Sequence, residues 1–243
     1  MIVADLHHRL TREDAQLAVA LLAQHGRGAA DDAERHLREE GLDALLDDAA
    51  LLAALLETRL GARASLPMFL YVVARHALLR QGEHDRVLAD FAASLLLQFG
   101  LRDRAHRVAA VDDQTYDTLV ALLEDAEGPD PRRTLVVRAH LGCYALWLAG
   151  MFPDAIEHRR WRRGGPDIEY YDAMGRNGFR LAAEHRLAQE HGLDALFAAV
   201  AEHFPAMRVA INRVSDTLLF PRVSSPERLM RQVRDEHRWR RSA

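Results

Sequence analysis

The chain contains no lysine, because all 32 residues in the Lys+Arg count are arginine. It therefore lacks the amine for a Schiff base with pyridoxal phosphate and the phosphate-binding lysines of P-loop proteins and protein kinases. Cysteine is almost as scarce. Cys143 is the single one, which excludes internal disulfides, CxxC redox motifs and multi-cysteine zinc sites. Because Cys143 lies in an apolar run, we expect it to be buried and unreactive.

Several catalytic signatures are missing as well. None of the six serines stands in a Gly-x-Ser-x-Gly motif, and no Gly-x-Gly-x-x-Gly loop follows a strand-like segment. There are 13 histidines, but neither Glu-x-x-His nor His-Glu-x-x-His occurs. His84-Asp85 has the dipeptide of metal-dependent phosphohydrolases of the His-Asp type, yet Asp85 is placed to cap a helix. We expect no metal site and no cofactor, and the sequence identifies no catalytic residue.

Long hydrophobic runs are also lacking. Residues 141–152 are free of charge, but as a helix they extend only about 18 Å, against roughly 30 Å of bilayer hydrocarbon. The N-terminal stretch MIVADLHHRLTRED has no sustained apolar core of the kind that signal peptides carry. These features predict a cytoplasmic protein without a membrane span. The net charge of -4 argues against a strongly electrostatic role for the molecule as a whole.

What the chain has in abundance is helical patterning. Hydrophobic residues make up 49% and aromatics only 7%, and apolar positions recur at intervals of three and four. Thr11 with Asp14 has capping-box spacing, and Ser65 precedes Pro67 as an N-cap would. We predict an all-α fold, an irregular multi-helix bundle of roughly ten or eleven helices. One domain over residues 1–243 is the favoured organisation, and a boundary near 126–131 is the alternative.

A cluster of arginines surrounds a tryptophan just after Pro153, in the sequence HRRWRRGG. On a helix starting at Pro153, the arginines spread over about 160°, and Trp161 points roughly opposite to them. We therefore expect Trp161 to anchor the helix while the basic face binds anions or is neutralised by nearby carboxylates. The arginines of this candidate anion-binding face are Arg159, Arg160, Arg162 and Arg163. A second cluster, at 238–241, repeats the pattern.

Polar residues within the most apolar predicted helix suggest a ligand pocket. His140, Tyr144 and Trp147 share one helical stripe, and Arg138 is close in sequence. A ligand pocket around Arg138, His140 and Tyr144 is one interpretation, and core packing with satisfied hydrogen bonds is the favoured one.

Two further stripes indicate close helix packing. Gly175, Gly178 and Ala182 form a strip of small residues that allows a second helix to approach. Apolar residues at 207, 211, 214 and 218 form a stripe suited to the core or to a second subunit, with the core favoured.

Three functional hypotheses follow. The first is a helical interaction or regulatory protein without catalytic activity, which binds a protein partner or associates with itself as a homo-oligomer. The second is a nucleic-acid-binding or anion-binding protein that uses the two Arg/Trp clusters. The third is a helical hydrolase or small-ligand-binding protein with the pocket described above. Helical bundles serve too many functions for the fold to decide among them.

Overall fold

The computed structural model describes residues 1–25, 30–100, 105–108, 115–116, 118–221, 225–226 and 228–232. Within these ranges the chain is helical and contains no strand, which confirms the all-α multi-helix prediction. Eleven of the α-helices have seven or more residues. The α-helices are α1 (Arg12–Gln24), α2 (Ala30–Glu40), α3 (Leu42–Leu46), α4 (Ala49–Glu57), α5 (Leu66–Leu79), α6 (Arg86–Gly100), α7 (Leu119–Asp125), α8 (Pro131–Met151), α9 (Pro153–Arg163), α10 (Ile168–Ala183), α11 (Arg186–Glu190), α12 (Asp194–Glu202) and α13 (Phe204–Val214).

Local sequence signals set several helix starts. The Thr11 hydroxyl accepts a hydrogen bond from the Asp14 N–H at 3.2 Å, and the Asp14 carboxylate accepts one from the Thr11 N–H at 2.9 Å. The predicted capping box is therefore confirmed. Ser65 caps α5 in the same way, accepting from the Met68 N–H. Asp85 accepts from the Val87 N–H at 2.7 Å, which confirms that this member of the His84-Asp85 dipeptide caps α6.

Helix α8 lies at the centre of the bundle. Its buried residues form one hydrophobic core with those of α5, α6, α7, α10 and α13. Fourteen of its 21 residues are buried, including Cys143 with 1% of its surface exposed. By length and composition α8 is long and apolar enough to cross a membrane, a test that the core helix of a soluble protein also passes. Of its most apolar 18-residue window, 78% is buried inside this fold.

The strip of small residues on α10 packs against α8, as predicted. A Cβ atom on Gly178 would lie 2.8 Å from the Gly142 nitrogen and 3.0 Å from the Arg138 carbonyl oxygen. A Cβ atom on Gly175 would lie 2.3 Å from the ring of Phe204. No side chain fits at either position without displacing neighbours. At Gly178 the backbones of α10 and α8 approach each other, and at Gly175 the Phe204 ring of α13 fills the space.

The apolar stripe on α13 belongs to the core. Met207, Ile211 and Val214 are 0%, 1% and 5% exposed, and only Leu218 is partly exposed. The favoured interpretation of this stripe is confirmed, so the stripe offers no surface to a second subunit.

The turn at 126–131 is tied tightly to α8. The Asp130 carboxylate caps the helix at the Arg132 N–H, and the Thr134 hydroxyl donates to the Gly128 carbonyl at 2.9 Å. Buried hydrophobic residues on both sides of this turn belong to one cluster that extends from Ile2 to Val214.

Residues 228–232 form a helical turn that is docked by buried ion pairs. Arg231 donates to Asp216 at 2.9 Å and to Asp154 at 3.1 Å, and Arg228 donates to Asp154 at 3.0 Å. Both arginines are more than nine-tenths buried. Asp216 belongs to a π-helical turn, Ser215–Leu219, that continues α13. The ion pairs therefore join the first turn of α9, the end of α13 and residues 228–232.

Candidate anion-binding surface on helix α9

Helix α9 begins at a sharp corner, because Phe152 ends α8 and Pro153 occupies the first turn of the new helix. Proline needs no N–H partner there, and its fixed φ suits the first helical turn. Gly164 ends α9 with a φ of 64°, a left-handed conformation that glycine adopts without strain. The result is an isolated three-turn helix at the edge of the bundle.

The buried side of α9 consists of Pro153, Ile156 and Glu157. Trp161 lies about 90° around the helix from the centre of that side, so it cannot reach the core. Its exposed fraction is 73%, the largest among the exposed large hydrophobic side chains. The expectation that Trp161 anchors the helix is therefore wrong. The helix is held by Ile156 and by the contacts of its first turn, and the indole faces solvent.

The arginines beside Trp161 are exposed as well. Arg160 has two described carboxylates within ion-pair distance, Glu157 at 4.0 Å and Asp167 at 3.8 Å. Within the part of the chain that the structure describes, no salt bridge is formed by Arg159, Arg162 or Arg163. Asp154, the other acidic residue of α9, is engaged by the arginines of residues 228–232. We refer to His158, Arg159, Trp161, Arg162 and Arg163 as the α9 surface.

No acidic residue occurs between 158 and 166, a stretch with four arginines. The last turn of α9 contributes the partial negative charge of its carbonyl groups, which basic residues at a helix C-terminus offset. That effect accounts for basic residues in this turn, but not for an exposed tryptophan among them. The arrangement can donate several charge-assisted hydrogen bonds to an anion and offers an aromatic face beside them.

The structure does not bring the three residues of the predicted pocket to one place. Arg138 and His140 project about 160° apart on α8, towards nearly opposite sides of the helix. Arg138 donates to the carbonyls of Ala126 and Leu181, at 3.1 and 3.3 Å, and so joins α7 and α10 to α8. His140 is bonded to the Ala105 carbonyl at 3.0 Å.

Tyr144 lies on the same side of α8 as His140, and their rings are nearly parallel with centroids 6.1 Å apart. The Tyr144 hydroxyl approaches His106 at 3.4 Å. The two residues therefore hold the segment that precedes α7 against α8. This geometry supports the packing interpretation of the stripe.

A different polar cluster, which sequence reasoning missed, surrounds the first 3-10 turn at His7–Arg9. The His7 ring is 2.7 Å from an Asp43 oxygen and 5.1 Å from the ring of Tyr71. The backbone N–H of His7 donates to the Asp90 carboxylate. Burial raises the pKa of the Asp90 carboxyl above its ordinary value. The residues of this polar cluster are up to 83 positions apart in sequence, so no local pattern could have identified them.

The neighbouring ion pairs continue this cluster into the fold. Asp47 accepts from Arg75 at 2.7 Å and from Arg86 at 2.6 Å, and Arg75 also donates to the His84 carbonyl. Although burial opposes ionisation of Asp47, the hydrogen bonds from Arg75 hold its pKa below the ordinary value. These contacts fasten the N-terminal segment and α3 to α5 and α6, which is a structural role.

Two further predictions concern metals and the second basic cluster. Among the described residues, no group of three or more His, Cys, Asp or Glu side chains could hold a metal ion. The second Arg/Trp cluster, at 238–241, lies outside the described residues.

Comparison of the chain with models of protein families, with curated proteins and with solved structures found no match in any of the three.

Proposed function

We propose that the protein is a non-enzymatic binding protein that contacts an acidic segment of a protein partner through the α9 surface. The observation that supports this proposal is the 73% exposure of Trp161 beside Arg159, Arg162 and Arg163, which form no salt bridge among the described residues. Tryptophan and arginine are the residues most enriched at the energetic centres of protein interfaces. Leaving an indole in water is unfavourable, and a partner that covers it removes that surface from solvent.

The charge distribution favours an acidic protein segment over a nucleic acid. The whole chain carries -4, and residues 158–166 carry +4, so the remaining residues carry -4 - 4 = -8. A long polyanion would extend beyond the α9 surface onto this acidic remainder and be repelled. A short acidic segment ends within the basic area.

The size of the surface leads to the same choice. The four arginines of α9 lie within little more than one helical turn, a span of about 6 Å along the axis. A protein that makes about six to ten phosphate contacts on a nucleic acid needs more basic side chains than the three arginines of the α9 surface, even when Arg160 is added to them. A few charge-assisted bonds around an aromatic anchor are sufficient for a protein segment.

The experiment measures fluorescence anisotropy of a labelled peptide rich in Asp and Glu with one central Leu. A labelled single-stranded DNA of about 20 nucleotides serves as the alternative ligand. The variants are the double mutant R159A/R162A and the single mutant W161A. The matched control is R59A/R63A, because Arg59 and Arg63 are also exposed arginines without a salt bridge in the described residues.

We expect the wild-type chain to bind the peptide, and R159A/R162A and W161A each to weaken binding about tenfold or more. The control should bind like the wild type. The proposal fails if the peptide does not bind, or if R159A/R162A binds it unchanged. Binding of the DNA alone, with a log-log salt slope near -3, would assign the surface to nucleic acid instead. Native mass spectrometry of the unliganded protein tests the prediction of a homo-oligomer.

A further inference from the structure

A cleft of about 410 Å³ opens between the end of α5, the last turns of α13 and the docked residues 228–232. Its walls include three arginines from three different elements. Small-molecule sites in proteins commonly occupy about 300 to 1,000 Å³, so this cleft is large enough for a small metabolite. The residues that line it are Arg80, Val209, Asn212, Arg213, Asp216, Thr217, Arg231 and Gln232.

Two of these arginines make no polar side-chain contact of their own within the described part of the chain. Arg80 follows the last residue of α5, and Arg213 lies in the last turn of α13. Arg213 is half-buried, whereas Arg80 is exposed. Neither guanidinium forms a hydrogen bond or salt bridge with any other described residue. Arginine is seldom withdrawn from water without a partner, as Arg213 is here, and the second guanidinium in the lining adds the donors that an oxyanion requires.

The third arginine differs, because its charge is already compensated. Arg231 donates to both oxygens of Asp216, at 2.9 and 3.1 Å, and also to Asp154. Three arginines and one aspartate in the lining give a net charge of +2. An occupant with two negative charges would neutralise the cleft.

The wall of the cleft around Arg213 is held in place by polar groups that bond to the fold itself: the Asn212 amide does so, and the Thr217 hydroxyl donates to the Arg213 carbonyl at 2.6 Å. Asn212 is 1% exposed and donates to the carbonyls of Ala149 and Gly150, which fixes the α13 wall against α8. The chain then changes from α to π geometry at Ser215. Such π turns are rare and occur often at functional sites. Thr217, on this turn, is exposed within the lining of the cleft.

We propose that this cleft binds a small molecule with two negative charges on oxygen atoms, with Arg80 and Arg213 as its principal ligands. A phosphate monoester and a dicarboxylate share this chemistry, since guanidinium groups bind both in bidentate fashion. The site is separate from the α9 surface and shares none of its residues, so either proposal can fail without the other.

Isothermal titration calorimetry at constant ionic strength tests the site with three probes: inorganic phosphate, methyl phosphate and succinate. Sodium chloride serves as the monovalent control. The variants are R80Q, R213Q and the double mutant, which keep length and polarity but remove the charge. R63Q removes an exposed arginine far from the cleft in sequence and is the matched control. Thermal unfolding verifies the fold of each variant. We expect the fold to be retained, because neither the Arg80 nor the Arg213 guanidinium forms a hydrogen bond or salt bridge among the described residues.

We expect saturable binding of at least one dianion to the wild type. Each single variant should weaken that binding about tenfold or more, and the double mutant should abolish it. Stronger binding of methyl phosphate than of succinate identifies a phosphorylated ligand, and the reverse order identifies a dicarboxylate. Absence of saturable binding by all three dianions up to about 10 mM would overturn the proposal. Unchanged binding by the folded double mutant would overturn it equally.

Discussion

Replacing Gly178 with alanine tests the close backbone contact between α10 and α8. The added Cβ would lie 2.8 Å from the Gly142 nitrogen, 3.0 Å from the Arg138 carbonyl oxygen and 3.2 Å from the Leu141 Cγ. Two of these three atoms belong to the backbone of α8, so a side-chain rotation cannot make room. Helix α10 has to move away from α8 by some tenths of an ångström, and the surrounding core has to follow.

Two opposing effects determine the magnitude. Alanine in a helix interior is more favourable than glycine by about 0.5 to 1 kcal/mol, because it restricts the unfolded chain. Overpacking of a well-filled core costs about 1 to 3 kcal/mol. We therefore expect a net loss of about 1 to 2 kcal/mol in the free energy of unfolding. For a chain of this size the loss lowers Tm by about 2 to 8 °C.

Gly100→Ala is the matched control, since Gly100 ends α6 and its Cβ would have no atom within 4 Å among the described contacts. This variant should be as stable as the wild type or up to about 1 kcal/mol more stable. Both variants are measured by thermal unfolding followed by far-UV circular dichroism and by urea titration. The close-packing argument is refuted if Gly178→Ala matches or exceeds the wild type in both assays.

Three further predictions concern other parts of the structure. Asp216→Ala removes a partner of the buried Arg231. Amide hydrogen exchange in residues 228–232 should therefore become about tenfold faster, while exchange in α8 is unaffected. Exchange in residues 228–232 at the wild-type rate would contradict the docking role of the ion pairs. Burial raises the pKa of Asp90 above its ordinary 3.8, so the stability contributed by its protonated form is lost as pH rises through the folded-state pKa. The urea midpoint of Asp90→Asn should therefore equal that of the wild type at acid pH and exceed it at neutral pH. A higher midpoint of the variant at acid pH only would contradict this pH dependence. Burial raises the pKa of the Cys143 thiol to about 12, so a thiol reagent at pH 8 should react only after unfolding, and rapid labelling of the native protein would contradict this.

Local signals were sufficient for much of the helical architecture. The capping box at Thr11 and Asp14, the N-cap at Ser65 and the cap at Asp85 depend on residues within three positions of each other. Such contacts form whatever the rest of the chain does, so the sequence predicts them directly. The burial of Cys143 followed from the apolar composition of its neighbours.

The orientation of α9 could not be predicted in this way. The pattern of arginines around Trp161 suggested an inward tryptophan, because a large aromatic is usually buried. The corner at Pro153 and the engagement of Asp154 by Arg228 and Arg231 instead set the helix rotation. Residues about 75 positions away in sequence therefore decide which side of α9 faces solvent.

The candidate cleft was equally invisible in the sequence. Arg80 and Arg213 are 133 positions apart, and neither belongs to a motif. Only the packing of α5 beside α13 places both in the lining of one cavity. The ligand pocket that was the alternative interpretation for Arg138, His140 and Tyr144 illustrates the converse. Arg138 is only two positions from His140 in sequence, yet it projects from a different side of the same helix.

The sequence by itself determined the all-α class, the helix boundaries with strong caps, and the chemistries excluded by the lack of lysine and the single cysteine. These features depend on composition and on contacts within one helical turn. Tertiary structure alone decided which charges are paired and which remain open to a ligand. The reason is physical: an arginine is available for binding only if no distant carboxylate reaches it, and distance in space is set by the packing of helices rather than by their order along the chain.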